Sequence, residues 1–162
     1  MTERMTRERM LASLKQGREQ WDALVARFTD EQMRQPLFAD GWSLKDILAH
    51  VTWYEREMIG VIKARALVGS ELWDLPTDER NIPIYKTNKD KSLEAVKAEA
   101  VQVYEALYEA AATLSDDDLN DARSFADMPE DWVPWEVIAG NSFEHYQQHI
   151  PELQAWLDEN QD

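Results

Sequence analysis

The chain contains no cysteine. It therefore has neither a disulfide framework nor a thiolate of its own, and any thiol chemistry must use a thiol that arrives with a substrate. Long apolar runs are missing as well. No stretch of about 18 apolar residues is available to span a bilayer, and the opening Met1-Thr2-Glu3-Arg4 leads into charged amphipathic sequence without the apolar centre of a signal peptide. A cytoplasmic protein is the expectation. Positive charge is scarce: 17 Lys and Arg stand against 32 Asp and Glu, for a formal net charge of -15. With no basic cluster to offset it, phosphate backbones and anionic lipid surfaces are repelled, so neither nucleic acid nor membrane is an expected partner. A glycine-rich phosphate loop and a Gly-x-Ser-x-Gly elbow are also absent, which removes the usual routes to nucleotide hydrolysis and to covalent serine chemistry.

What is present reads as one all-α domain over residues 1–162. The 44% hydrophobic content fills a single core, and only five glycines and six prolines interrupt it. Apolar residues recur every three or four positions in four segments, the period of helices packed along a seam. The first runs from about Thr6 to Phe28, with Met10, Leu14, Gly17, Trp21 and Leu24 on the stripe and charges such as Arg18, Glu19 and Arg27 off it. The second starts at Ser43, where Asp46 three residues on completes a pattern like a capping box, and is expected to end near Leu67, before Gly69. Ser92 caps a third, carried by Leu93, Val96, Ala100, Val103, Leu107, Ala111 and Leu114. Pro134 suits the first turn of a fourth, which the pattern carries to about Asn160. The acidic run Asp116-Asp117-Asp118 lacks EF-hand spacing and reads as a capped, solvated helix start.

The connection between the second and third helices, Val68 to Lys91, is long for a bundle. Retracing a helix of about 25 residues means covering roughly 37 Å, which an extended chain of a dozen residues manages. Helices two and three can therefore run parallel. Trp73, Pro76, Ile82, Pro83 and Tyr85 make this crossover apolar enough to act as a lid, and a decorated surface loop is the alternative.

Chemistry centres on the only three histidines, His50, His145 and His149. The i, i+4 pair His145 and His149 projects from one helical face about 6 Å apart, as two imidazoles must to share a metal. The seam Trp135, Ile138 and Ser142 continues onto both of them and then onto Leu153, so they point inward. His50 lies beside the stripe of Ile47, Val51 and Tyr54. Singly, each reads as a satisfied core histidine. Together, three neutral imidazoles have few internal acceptors, whereas one divalent transition metal satisfies all of them and keeps a position open for water or substrate. Zinc and nickel both suit such donors. The stretch from His145 to His149 lacks the glutamate of the zinc-peptidase motif, which disfavours a peptidase.

The run Gly41-Trp42-Ser43-Leu44-Lys45-Asp46-Ile47-Leu48-Ala49-His50, followed far downstream by Asn141-Ser142-Phe143-Glu144-His145-Tyr146-Gln147-Gln148-His149, resembles the DinB/YfiT-like superfamily, including its ClbS/DfsB-type members. The likeness spans nearly the whole chain. It implies a four-helix bundle with a long crossover between helices two and three, a metal site near one open end formed by His50, His145 and His149, and a homodimer. It also implies thiol-transferase chemistry with a small-molecule substrate, in particular a low-molecular-weight thiol. Pro151, just after the pair, departs from the pattern and is a candidate kink.

Four polar residues near the histidines, Tyr54, Glu57, Asn141 and Glu144, are candidates to bond the free imidazole nitrogens, set against solvated or capping roles. Trp21 and Trp135 fall on seams and read as core, whereas Trp42, Trp73 and Trp132 sit beside loops, lining an entrance or plugging a bundle end. Two classes of function follow. One is a divalent-metal-dependent enzyme, a thiol transferase or hydrolase, that activates a substrate thiol or water in stress response or detoxification. The other is a metal-free or structurally metallated binding and sequestering module. A resistance hydrolase of the ClbS type is a further variant.

Overall fold

The computed structural model describes residues 3–160. Among them eight α-helices follow one another: α1 (Arg7–Val25), α2 (Asp30–Arg34), α3 (Leu44–Ala64), α4 (Thr77–Asn88), α5 (Leu93–Ala111), α6 (Asp116–Asn120), α7 (Pro134–Gly140) and α8 (Phe143–Glu159). Short 3-10 turns lie at Glu71–Asp74 and Ala122–Ser124. The only β-type pairing among the described residues is one isolated parallel bridge, Ala66 to Ala126.

The long helices α1, α3, α5 and α8 form the bundle, with α3 against α5, α1 against α8 and α1 against α5. Two apolar clusters fill it. Met10, Leu14, Met58, Ile62, Leu107, Leu114 and Ile138 make one; Trp21, Leu24, Leu44, Ile47, Leu93, Val96, Leu153 and Leu157 make the other. The starts of α3 and α5 share the second cluster and their ends share the first. These two helices therefore run parallel, as the length of the crossover suggested.

The helix starts are where the side chains demand them. Thr6 and Ser92 accept from the backbone N–H groups of Arg9 and Ala95, each at 3.1 Å. Ser43 accepts from Asp46 N at 3.1 Å while Asp46 Oδ2 accepts from Ser43 N at 2.9 Å, a closed capping box. The stop of α3 differs from expectation: it ends at Ala64, because Arg65 adopts the left-handed conformation at φ 51. The guanidinium of Arg65 holds that turn by donating to Asp118 Oδ2 at 2.9 Å and to Thr113 O at 3.2 Å.

Two further expectations are corrected. The crossover is not extended chain: it folds as a 3-10 turn and α4, a helix that buries only Ile84 and so leaves no periodic apolar signature in the sequence. Nor is the fourth helix continuous from Pro134. It breaks at Asn141 and Ser142, whose side chains donate back to Val137 O at 2.8 Å and Ile138 O at 2.6 Å. Such local bonds compete with helix continuation. Pro151, by contrast, is exposed and sits inside α8 without ending it.

Gly17 and Phe143 explain how closely α1 meets the start of α8. A Cβ on Gly17 would lie 2.6 Å from Phe143 Cβ, so only glycine permits this approach. No helix among the described residues is long and apolar enough to cross a membrane.

Candidate metal centre

Two helices deliver the three imidazoles. His50 stands two turns into α3, and its register is fixed by the capping box at Ser43. His145 and His149 lie one turn apart on α8, directly after the break that redirects the chain. The Nε2 atoms of His50 and His145 are 3.1 Å apart, and those of His149 and His145 are 3.2 Å apart. One ligand atom from each of the three lies within 4.8 Å of the others. Nitrogens bound at 2.0–2.1 Å to a tetrahedral ion stand about 3.3–3.4 Å apart, so the observed spacings fit such a donor set.

The rings fit a cation better than they fit one another. A neutral imidazole has one N–H and one lone pair. His145 Nε2 faces two other Nε2 atoms, and a single hydrogen or a single lone pair there cannot serve both contacts. His50 and His145 are buried, and their Nδ1 atoms have no partner among the described protein groups. Burial first, and then the neighbouring rings, push His50 down to about 3; burial and then His149 do the same to His145. Both are neutral at pH 7, the form in which imidazole binds metal.

The third ring has a carboxylate. Nδ1 of His149 lies 2.9 Å from Glu152 Oε1, a contact in which the ring N–H donates to the carboxylate, while Nε2 faces the other two histidines. The rings of His50 and His145 are instead held by aromatic edges. Tyr54 lies 5.0 Å from His50 and 4.9 Å from His145, centroid to centroid, and Trp42 lies 5.4 Å from His50.

The four polar candidates fare differently. Tyr54 is in the wall of the site, but its hydroxyl donates to Asn81 Oδ1 at 2.9 Å and leaves the imidazole nitrogens alone. Asn141 lines the cavity and spends its amide on Val137 O. Glu57 turns to the crossover, where its Oε1 accepts from Ser70 N at 2.6 Å and from Trp73 Nε1 at 2.8 Å, capping the 3-10 turn. Glu144 is exposed and makes no hydrogen bond to the histidines. None of the four bonds an imidazole; Glu152 does. Its only signal in the sequence is the i, i+3 spacing from His149, which an exposed carboxylate on a helix shares with many solvated residues.

A cavity of about 290 Å³ opens onto the triad, lined also by Thr77, Arg80 and Asn81 from the start of α4 and by Gln148. The crossover thus supplies one wall of the site. Beside it lies a cavity of about 710 Å³, and the two share Arg80 and Asn141. Trp73 and Trp132 line this larger space, and Trp132 is exposed. Trp42 instead stacks on Tyr85 at 5.5 Å, and Trp135 is only half-buried, with a buried indole N–H that lacks a partner.

Behind the triad is a polar network that the sequence hid. Arg18, expected among the solvated charges of α1, is buried. It donates to Tyr146 Oη at 3.0 Å and Ala100 O at 3.2 Å, lies 3.6 Å from Glu55 Oε1 and stacks over Tyr104. Tyr146 donates to Glu55 at 2.9 Å. Glu55 is fully buried, and burial pushes its carboxyl up to about 7 against the pull of Arg18.

A sequence model described as the DinB superfamily matches residues 13–158. No curated protein and no solved structure matches the chain.

Proposed function

The chain belongs to the DinB superfamily, and from that premise we propose that it is a divalent-metal-dependent enzyme of the thiol transferase or hydrolase type. His50, His145 and His149 are the protein's ligands, zinc or nickel is the ion, and the substrate is a small molecule, with a low-molecular-weight thiol as co-substrate. The observation that carries this reading is the meeting of three Nε2 atoms in the wall of an open cavity. A divalent ion there would supply Lewis acidity that lowers the pKa of a thiol or water for attack on a small electrophile.

The chain's own residues prepare that site. Neutral His50 and His145 present lone pairs without first having to lose protons at pH 7. Glu152 fixes the tautomer of His149 and raises its basicity. Tyr54 and Trp42 restrict the other two rings by edge contacts, and α4 shields one side from bulk water while the cavity admits a ligand.

Elemental analysis of tag-free protein tests the first half of this reading, with about one metal per chain expected and essentially none in His145→Ala. Cobalt-substituted protein tests the second: its visible absorption bands should shift when 2-mercaptoethanol is added. Bound metal whose spectrum ignores every added ligand would mean a structural ion, and the enzyme reading would fall.

A further inference from the structure

Among the described residues, Arg80 is the one lysine or arginine that lines both cavities at the triad. Three of its five N–H groups are used: Nε donates to Leu72 O at 3.1 Å, Nη2 to Leu75 O at 2.9 Å and Nη1 to Tyr54 Oη at 3.4 Å. Two remain, one on each terminal nitrogen. The guanidinium is stacked over Trp73 with its central carbon 4.6 Å from the ring centroid. Among the described residues no carboxylate pairs with it, although the chain has almost twice as many acidic as basic residues. A half-buried arginine, pinned by two carbonyls and a tyrosine and left with two N–H groups and its full charge, is arranged to receive an anion.

The neighbouring 710 Å³ cavity is where the rest of a ligand held at Arg80 would lie. Its wall beyond Arg80 includes Met58, Val61, Leu67, Trp73 and Trp132 beside the polar Ser70 and Asn141, and the apolar and aromatic part of it suits a hydrocarbon or aryl body. Glu71 and Asp74 stand on the exposed rim. Their charge disfavours a dianionic phosphate more than a singly charged carboxylate.

We propose that Arg80 binds the carboxylate of an amphipathic substrate whose apolar body lies along Trp73 and Trp132, which makes Arg80 a specificity determinant of the site. This inference rests on the metal-site reading only for where the reacting end of the ligand goes. Binding of the carboxylate itself is independent of that reading.

The test uses 4-phenylbutanoate and its uncharged amide, 4-phenylbutanamide, as a matched pair. Calorimetric titration of the full chain as purified should show the carboxylate binding at least about tenfold tighter, the scale of a charge-assisted contact. Equal affinities, or no binding of either probe, would overturn the proposal. Repeating the titration after chelator treatment separates arginine from metal: the preference persists if Arg80 holds the carboxylate. If it vanishes with the ion, the carboxylate was a metal ligand and the proposal fails. Conversely, a protein that never holds metal but keeps the preference loses only the enzyme reading. Arg80→Met should abolish the preference and Arg80→Lys retain part of it, with both variants unfolding cooperatively; full preference in Arg80→Met would refute the assignment. Should the methionine variant fail to fold, the matched probes on the native chain still decide.

Discussion

At the scale of single residues, the charged groups of the core and those of the site behave oppositely toward protons. Buried Glu55 has its carboxyl raised to about 7, with burial as the larger cause and Arg18 opposing it. A carboxyl whose folded pKa lies above its unfolded value of about 4.5 binds a proton more readily when folded. Its contribution to stability is therefore complete below pH 4.5 and is lost as pH rises through 7. The stability difference between the native chain and Glu55→Gln, measured by urea unfolding, should fall between pH 4.5 and 7.5 by on the order of 3 kcal/mol. A difference that stays constant, or grows with pH, would show that Arg18 keeps Glu55 ionised throughout. The histidines were legible because their type is rare and their spacing helical. Arg18 was not, since its partners Glu55 and Tyr146 come from other helices, and a charge beside an apolar stripe looks like any solvated neighbour.

At the scale of elements, legibility followed how much of a helix's face is buried. α3 and α5 bury long stripes and cap with serine, so their starts could be read to the residue. α4 buries one residue and the α7–α8 break depends on side chains turning back on their own carbonyls, so neither left a periodic trace. Yet both are decisive for the site. The break directs His145 and His149 toward His50, and α4 contributes Thr77, Arg80 and Asn81 to the cavity. The register of α8 also depends on its contact with α1. By intrinsic helix propensity Gly17→Ala should stabilise α1 by roughly 1 kcal/mol, but the added carbon would meet Phe143 Cβ at 2.6 Å, on the first residue of α8, which cannot swing away. Overpacking outweighs propensity, and the variant should be less stable than the native chain by about 1–2 kcal/mol in chemical denaturation. Equal or greater stability would mean that α1 and α8 can separate by a few tenths of an ångström without loss.

At the scale of the whole molecule, the triad joins α3 to α8, elements almost 100 residues apart in sequence that the Tyr146–Glu55 hydrogen bond also ties. An ion held by His50, His145 and His149 is a cross-link that exists only in the folded state, because the unfolded chain separates His50 from the i, i+4 pair. Binding therefore adds to folding stability in proportion to the logarithm of free metal over its dissociation constant, about 2.7 kcal/mol at a hundredfold excess. For a chain of this size that corresponds to roughly 5–10 °C in Tm. Thermal unfolding in chelator and in zinc at about a hundredfold excess over its dissociation constant should differ by this amount in the native protein. In His50→Ala the difference should shrink to little or nothing, even though the helical pair on α8 remains, because two ligands on one helix stabilise that helix without tying it to another. A zinc-dependent shift of full size in His50→Ala would place the ion on α8 alone, and the convergence of the two helices on one metal would then be coincidental packing.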